Sequence, residues 1–299
     1  MTRLADTKNV PGRRANAPAS RLLWTWRQNK LLILSSLLVA LLIAAVIGAP
    51  LLTNADPDLV DAPNRLLRPG EGGHPLGTDG FGRDLFARIL YGGRVSLGLS
   101  VCVVCVNAMA GLIIGSIAAY AGGFLDGLIM RIIDILMAFP SMILSLFIIG
   151  VFGSSVRNLF LSLILFGWIG YARMARSLVL SLKEQIFIQS ARGIGCRGAR
   201  LIFRHIIPNV MPTIIISAAM HIGSTILAIA SISFLGLGVQ PPTAEWGTML
   251  SDAKQYVSLY SHMVIYPGAA LAVSVFAFNL LGDALRDLAD PHTKEIIKT

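Results

Sequence analysis

Long stretches without a charged residue constrain this chain more than any other feature of its sequence. One uncharged run extends from Leu31 to Leu52, and another extends from Val95 to Leu125. A helix needs about 20 consecutive, mostly apolar residues to cross the hydrocarbon core of a bilayer. Charged residues make up only 14% of the 299 residues, whereas soluble domains carry about 25%. The sequence therefore predicts an all-α integral membrane protein.

The apolar pattern predicts six transmembrane helices. The first covers 31–52, and its apolar core exceeds the roughly 7–15 residues of a secretory signal, so we expect an uncleaved span. The others are expected at 95–119, at 130–152, at 158–180, from Pro212 to about Leu237, and at 262–282. The remaining segments are a tail at 1–30, an extracytoplasmic loop at 53–94, a cytoplasmic segment at 184–209 within a five-helix core at 95–282, and a tail at 283–299.

The positive charges predict the orientation of these spans. Residues 1–30 and 173–204 each hold seven Lys or Arg and one acid, so 14 of the 25 basic residues lie in two short segments. Loop 53–94 has five Arg against six acids. Because basic residues accumulate in cytoplasmic flanks, we expect both termini to be cytoplasmic. The net charge of +9 then indicates membrane lipid as the partner of these flanks, and no nucleic acid.

No catalytic, cofactor or metal site is predicted from the motifs. The chain contains neither the GxxxxGK[ST] phosphate loop nor an HExxH pair, and both patterns are required for the chemistry they serve. The three cysteines have no zinc-site or disulfide spacing. If a chain like this moves a solute uphill across the membrane, the energy must therefore come from a partner ATPase or from an ion gradient.

Two ionisable residues bear on the choice between these energy sources. Gradient-driven carriers place such groups inside the membrane, and Asp134 and His221 are the candidates here. Asp134 follows Arg131 by three residues, which favours a local ion pair. His221 is either a proton relay or metal ligand, or a hydrogen-bonded structural histidine. So few titratable groups favour ATP, and an ion-gradient-driven secondary transporter is the alternative.

The segment from Glu184 to Asn209, EQIFIQSARGIGCRGARLIFRHIIPN, is compact and basic beside apolar spans. Gly193 and Gly195 are expected to separate two short helices, and Pro208 to end the segment before the fifth span. An apolar face alternates with arginines along it. This pattern predicts either a knob that docks on a cytoplasmic partner or a basic loop held at lipid headgroups.

The order of residues in this segment resembles the EAA loop of ABC-importer permeases. Gln189, Ser190 and Ala191 are followed four residues later by Gly195, and Pro208 comes thirteen residues after that. Four further stretches resemble the C-type permeases of dipeptide, oligopeptide and nickel importers. They are HPLGTDGFGRDLFARILYGGRVSL (74–97), MRIIDILMAFPSMILS (130–145), SFLGLGVQPPTAEWGTMLSDA (233–253) and AFNLLGDALRDLADP (277–291).

This resemblance implies a type I importer permease core with one extra N-terminal helix, in the bacterial cytoplasmic (inner) membrane. It implies a homologous permease partner in a heterodimer, two cytoplasmic subunits that use ATP and Mg²⁺, an extracytoplasmic solute-binding protein, and short peptides, nickel or a metal chelate as substrate. The residues it implies for ATPase coupling are Gln189, Ser190, Ala191, Arg192, Gly195 and Pro208. Gln189 and Ser190 depart from the Glu and Ala of the family motif, and Gln cannot form an ion pair.

Two further groups of residues are functional candidates. Asp134, His221 and Pro140, which is expected to kink the third span, are candidates for the translocation pathway. In loop 53–94, a short helix is expected to begin at Thr78 and Asp79 and to carry Asp84 and Arg88 on one face. Contact with a binding protein through Asp79, Arg83 and Asp84, and packing within the loop, are the two readings of this segment.

Overall fold

The computed structural model describes residues 30–289, so the tail at 1–29 and residues 290–299 lie outside the described chain. Every regular element in the described range is helical. The principal helices are α1 (Lys30–Ile47), α2 (Leu85–Ala121), α3 (Gly123–Met137), α4 (Ser141–Phe152), α5 (Val156–Lys183), α6 (Ile186–Gly193), α7 (Ile207–Phe234), α8 (Trp246–Ala253) and α9 (His262–Ala289). Shorter helical turns are Ala49–Leu52, Ala62–Asn64, Glu71–Gly73, Ala199–Leu201, Ile202–Ile206 and Lys254–Tyr256.

The described helices confirm the membrane architecture expected from the sequence. Five of them are long and apolar enough to cross a bilayer, and a bent pair, α3 with α4, supplies a sixth crossing if the two form one span. The five are α1, α2, α5, α7 with its preceding turns, and α9. α9 continues to Ala289, beyond the expected boundary at 282, so the start of the predicted C-terminal tail is helical.

The third expected span, 130–152, is not one kinked helix. α3 ends at Met137 and α4 begins at Ser141, and their axes differ by 79°. Pro140 lies at the N-cap of α4 rather than inside a helix. Proline lacks an amide hydrogen and disfavours helical geometry in the residue before it, so the chain breaks at this point.

The second span begins ten residues earlier than expected, and no helix begins at Thr78. Asp84 caps α2, its carboxylate accepting a hydrogen bond from the Ala87 amide at 2.7 Å. Thr78 forms instead an isolated antiparallel bridge with Asp84. The last part of the expected loop 53–94 is therefore the first part of α2, because an aspartate at the N-cap satisfies amides that the helix itself leaves free.

The fifth span begins before Pro212, contrary to expectation. A helical path runs from Ala199 through a π turn at Ile202–Ile206 into α7, and Pro212 lies inside α7. Pro208 cannot donate to the carbonyl of Arg204, and its ring crowds the turn before it. A locally widened π turn accommodates such a ring. The second half of the segment 184–209 is thus the start of this span.

The helices pack around α2 and α7. α2 lies along α5, where Gly111 approaches the Tyr171 side chain and Gly115 approaches the backbone of Ala172, so a side chain at either glycine would collide. Small residues allow helix axes to approach closely inside a membrane, where packing rather than water drives association. α7 contacts α2 and α9, and α1 packs on α9. These contacts place the middle of α2, α5 and α7 side by side.

Candidate functional site

The segment Glu184–Asn209, hereafter the coupling segment, is built around a glycine-ended helix. α6 ends in a Schellman motif, in which the Cys196 amide donates to the Ala191 carbonyl and the Gly195 amide to the Arg192 carbonyl, both at 3.0 Å. Gly195 has φ of +89°, a conformation that costs a residue with a side chain about 1 to 2 kcal/mol. The sequence-predicted glycine bend is therefore present, and it is located at Gly195 rather than at Gly193.

One face of α6 is anchored in the protein core. Ile188 and Ala191 are buried in a cluster with Leu201 and with side chains of α5 and α7. The opposite face is open: Ile194 and Ile186 are 88% and 81% exposed. Ile186 begins α6 and Ile194 follows its last residue, and exposed apolar side chains at both ends of a short helix are typical of a surface that another protein covers.

Hydrogen bonds tie the coupling segment to the C-terminal end of α2. The Gly198 amide donates to the Tyr120 hydroxyl at 2.7 Å, and the Arg192 guanidinium lies over the Tyr120 ring at 5.7 Å. Next to this contact, the Lys183 ammonium donates to the carbonyl of Ala119 at 2.9 Å. Movement of α6 would therefore be transmitted to α2 as well as to α5 and α7.

The remaining coupling candidates lie at the surface. Gln189 and Ser190 are exposed, and the Gln189 amide donates to the Glu184 carbonyl at 3.2 Å. An ionised glutamate in the same place could not donate this bond. Gln189, which differs from the Glu of the family motif, therefore makes a hydrogen bond that Glu could not make. Pro208 is exposed in the first turn of α7. All six candidates therefore lie in this one segment, and their part in ATPase coupling stays a prediction.

The pathway candidates Asp134, Pro140 and His221 are not brought together. Asp134 pairs with Arg173 of α5 at 3.1 Å, so the expected pair with Arg131 was wrong. Arg176 follows Arg173 by three positions on α5 and binds Asp126 through two hydrogen bonds of 2.6 and 2.7 Å. These two pairs fasten α3 against α5, which explains why Asp134 has its partner on another helix.

His221 lines a cavity between α2, α5 and α7. The cavity has a volume of about 440 Å³ and is lined by Val104, Asn107, Gly167, Gly170, Tyr171, Met174, Ser217, His221 and Thr225. Asn107 and Tyr171 were missed by the sequence reasoning. Asn107 had a detectable signal, because it is the one amide side chain in the uncharged run from Val95 to Leu125, and polar groups at that depth are expensive unless they have a use.

The binding-protein candidates Asp79, Arg83 and Asp84 are buried in the loop that leads into α2, with Asp84 at its N-cap. Their relative exposures are 5%, 3% and 6%. The Arg83 Nε donates to Asp79 Oδ2 at 2.6 Å and its Nη2 donates to Asp252 Oδ2 at 3.3 Å. Asp84 accepts at 2.7 Å from His74. Such burial fits the loop-packing reading, and contact with a binding protein stays a prediction for this loop.

Arg88 completes an outer ion cluster, which we define as Asp79, Arg83, Arg88 and Asp252. Its guanidinium, 1% exposed, donates to the carbonyls of Pro57 at 2.8 Å and Pro242 at 3.2 Å. These bonds join the loop before α2 to the loop before α8. Burial raises the pKa of Asp252, although the nearby Arg83 opposes that shift. The cluster therefore holds the loop before α2 and the loop before α8 together as one unit.

The chain matches known proteins over most of its length. The family described as binding-protein-dependent transport system inner membrane component matches residues 111–295. The nickel transport system permease protein NikC of Escherichia coli is 43% identical over 262 residues, which cover 86% of this chain and 94% of NikC. This chain belongs to that family.

Two further relatives extend the comparison. The dipeptide transport system permease protein DppC of Alkalihalophilus pseudofirmus is 40% identical over 90% of this chain and 88% of its own. The glutathione transport system permease protein GsiD of Pectobacterium atrosepticum is 40% identical over 87% of this chain and 86% of its own. The chain is therefore a permease subunit of an ABC importer and an inner-membrane component, and the alternative of an ion-gradient-driven carrier is set aside.

Proposed function

We propose that this chain forms one half of the transmembrane pathway of a binding-protein-dependent importer. A homologous permease supplies the other half as a heterodimer, two ATP-binding subunits dock on the cytoplasmic side, and a solute-binding protein delivers cargo outside. Both termini lie in the cytoplasm. ATP and Mg²⁺ are bound by the ATPase subunits, and this chain contributes no catalytic residue.

Two exposed isoleucines of the coupling segment carry this proposal. Ile186 and Ile194 face solvent on a segment whose Arg197, Arg200 and Arg204 pair with no acid within residues 30–289. Water does not favour such apolar exposure, and the combination fits a protein groove with an apolar floor and an acidic rim. Lipid headgroups would satisfy the arginines alone and would leave the isoleucines unexplained.

The surface around Ile186 and Ile194 is hereafter the docking surface. The contacts between the buried face of α6 and the other helices could transmit its movement into the membrane. ATP-driven closure of the ATPases would displace α6, whose buried face packs on α5 and α7 and whose end is bonded to Tyr120. Because packed helices shift as units rather than bend continuously, the displacement would change the access of the membrane cavity from one side to the other. Movement of Gly195, which needs no side-chain space, would let the segment adjust.

The substrate class follows from the relatives rather than from the coupling segment. Their names specify nickel, dipeptide and glutathione transport. We propose that this importer carries short peptides, or nickel held as a metal chelate, and that its binding protein selects among them.

Ile194→Asp tests the docking surface. A carboxylate at this exposed position should leave the fold of the chain intact but prevent an apolar contact, so co-purification of the ATPase subunits and ATP-dependent uptake should fall at least tenfold. The complete importer should be expressed from all its subunits and measured in liposomes. Leu259→Asp is the matched control, because Leu259 is 82% exposed and lies on the extracytoplasmic side.

The two variants separate docking from general damage. Leu259→Asp should retain ATPase subunits at the wild-type ratio. If Ile194→Asp also retained them and transported normally, the coupling segment would not be the docking site. If the wild-type complex showed no ATP-dependent uptake of any cargo that its binding protein binds, the importer assignment itself would fail.

A further inference from the structure

Tyr120 is the second-to-last residue of α2, and its side chain contacts the coupling segment on both sides of the glycine bend. The Arg192 guanidinium, in the last turn of α6, lies over the Tyr120 ring at 5.7 Å from the ring centroid. The Tyr120 hydroxyl accepts a hydrogen bond from the Gly198 amide at 2.7 Å. Gly195, which carries the positive φ of the bend, lies between these two contacts in the chain. One side chain of α2 therefore holds the residues before and after the bend.

Gly198 is the residue at which the chain enters the helical path to α7. It has φ of +60° and ψ of −140°, a conformation that favours glycine. Its carbonyl accepts hydrogen bonds from the Leu201 and Ile202 amides at 3.1 and 3.2 Å, and these bonds begin the helical path. The amides of the Schellman motif bond back to α6 itself, whereas the Gly198 amide bonds to a different helix. The Tyr120 hydroxyl therefore fixes the start of the fifth span relative to α2.

Apolar packing and the arginine hold the Tyr120 ring in this position. Tyr120 packs against the apolar cluster that includes Ile188 of α6 and Leu201. A guanidinium within about 6 Å of an aromatic ring is attracted to its face, so Arg192 adds a second contact to the same ring. Tyrosine combines an apolar body with a polar tip. The ring can therefore pack on the cluster while the hydroxyl accepts from the backbone of the coupling segment.

α2 carries the effect of this contact away from the coupling segment. Its 37 residues form one helix, which at 1.5 Å of rise per residue is about 55 Å long. Near its start, Asp84 caps the helix and Arg88 donates to carbonyls of two other loops. Packed helices shift as units rather than bend continuously. A displacement that enters α2 at Tyr120 would therefore reach the outer ion cluster at the other end.

We infer that Tyr120 is a positioning residue for coupling, which fastens both sides of the glycine bend to α2. When the ATPase subunits close, the coupling segment and α2 then move together. Without the hydroxyl, the chain around Gly198 follows α6 while α2 responds less, and part of the ATP is hydrolysed without import. The inference rests on the proposed importer function. It adds a residue of α2, outside the six coupling candidates, to the route from the ATPases into the membrane.

Tyr120→Phe removes the hydroxyl and keeps the ring beside Arg192. In the complete importer, hydrogen exchange of the Gly198 amide should quicken roughly threefold to tenfold, the share of one hydrogen bond. Tyr91→Phe is the matched control, because Tyr91 is also a partly buried residue of α2 with an arginine over its ring, at 4.8 Å. Within the described residues the Tyr91 hydroxyl makes no hydrogen bond, so exchange at Gly198 should stay as in the wild type.

Exchange measured in two nucleotide states tests the linkage itself and needs no cargo. In the wild-type importer, trapping with ATP and vanadate should change the exchange of residues 196–202 and of residues 117–122 at the end of α2. In Tyr120→Phe, the change in 196–202 should remain because the docking surface is intact. The change in 117–122 should shrink roughly threefold. Tyr120→Leu, which removes the ring contact as well, should shrink it further, and Tyr91→Phe should leave both changes at the wild-type size.

A purely structural tyrosine would not alter the response of α2 to nucleotide. If Tyr120→Phe kept the full change in 117–122, or lost the ATPase subunits, the positioning role would be overturned. If trapping changed neither segment in the wild type, the docking of ATPases on the coupling segment would fail instead.

Transport supplies the second measurement, with labelled dialanine and Ni²⁺ with histidine as probes in liposomes. Tyr120→Phe should hydrolyse ATP at the wild-type rate, while the solute imported per ATP should fall roughly threefold. An unchanged ratio for a probe that the wild type imports would overturn the inference and leave the importer function intact. Uptake of neither probe by the wild type would count against the proposed substrate class, and the exchange of 117–122 would then decide the role of Tyr120.

Discussion

The outer ion cluster and the coupling segment are two charged regions of the described chain in which the charges have opposite environments. In the outer ion cluster, two arginines are bonded to two aspartates, with Arg83 and Arg88 at 3% and 1% exposure and Asp252 partly exposed. In the coupling segment, Arg197, Arg200 and Arg204 are exposed and pair with no acid in the described chain. Enclosed and balanced charge fixes a structure, whereas open and unbalanced charge is available to a partner.

The same difference extends to the backbone. Loop 53–84 is cross-linked by side chains, as where the Arg65 Nε donates to the Gly80 carbonyl at 2.6 Å and Thr78 donates to the Asn64 carbonyl at 2.6 Å. The chain between Gly193 and Ala199 is held by a helix cap and by one bond to Tyr120. We therefore expect the outer face to move as a block and the coupling segment to adjust locally when the ATPases close.

The largest expected effect comes from removing an enclosed arginine. Arg88→Ala leaves Asp79 short of a cation and the Pro57 and Pro242 carbonyls without their donor. Breaking a buried ion pair from one side costs about 3 to 5 kcal/mol, so the detergent-solubilised subunit should lose most of its thermal stability. Arg200→Ala, in the coupling segment, should change the free energy of unfolding by less than about 0.5 kcal/mol. Equal losses in the two variants would refute the contrast.

An intermediate effect is expected at the glycine bend. Gly195→Ala puts a side chain on a residue with φ of +89°, which should cost about 1 kcal/mol. Because it loosens α6, it should raise the ATP hydrolysed per solute imported. Gly193→Ala is the control, because Gly193 ends α6 without a positive φ and alanine favours helix. Hydrogen exchange of the α6 amides should quicken in the first variant and not in the second. Identical exchange would show that the Schellman cap does not set the stability of α6.

The sequence predicted the parts of this molecule that depend on composition along one helix. Uncharged length located the spans, and the glycine and proline pattern located the coupling segment. It predicted a kink at Pro140 but not the complete break with an angle of 79° between α3 and α4, because α3 packs on α5 through Arg173 and Arg176, which bind acids that are far away in the chain. The cavity was missed for the same reason, since Asn107, Tyr171 and His221 come from three helices and meet only after those helices pack.

The outer loop shows a further limit of local reasoning. Asp84 and Arg88 have helical spacing, which predicted one face of a short helix, yet Asp84 is the cap and Arg88 points to carbonyls of two other loops. A polar residue at such spacing is equally suited to capping and to pairing, and only tertiary contacts decide. Burial of Asp79 and Arg83 likewise could not be read from their types, because paired charges alone are stable inside.

The smallest expected effect is a pH dependence of the unfolding stability that arises in the outer ion cluster and not in the coupling segment. Burial raises the pKa of Asp252, against the opposing field of Arg83 and with the support of nearby Asp79. The folded chain then holds a proton at Asp252 more tightly than the unfolded chain does, so the stability linked to this group is fully present below the ordinary carboxyl pKa and is lost as pH rises through the raised value. Asp252→Asn should remove that slope from thermal unfolding measured between about pH 4 and pH 8.

Asp56→Asn serves as the control for this titration, because the Asp56 carboxylate is exposed in loop 53–84, outside the cluster, and accepts a hydrogen bond from the Asp58 amide. Its unfolding profile should keep the wild-type slope. A wild-type slope retained in Asp252→Asn would mean that the acid of the cluster is neutralised by Arg83 strongly enough to cancel its burial. In that case the outer cluster would resemble the coupling segment in being governed by its arginines, and the distinction between enclosed and open charge would rest on Arg88 alone.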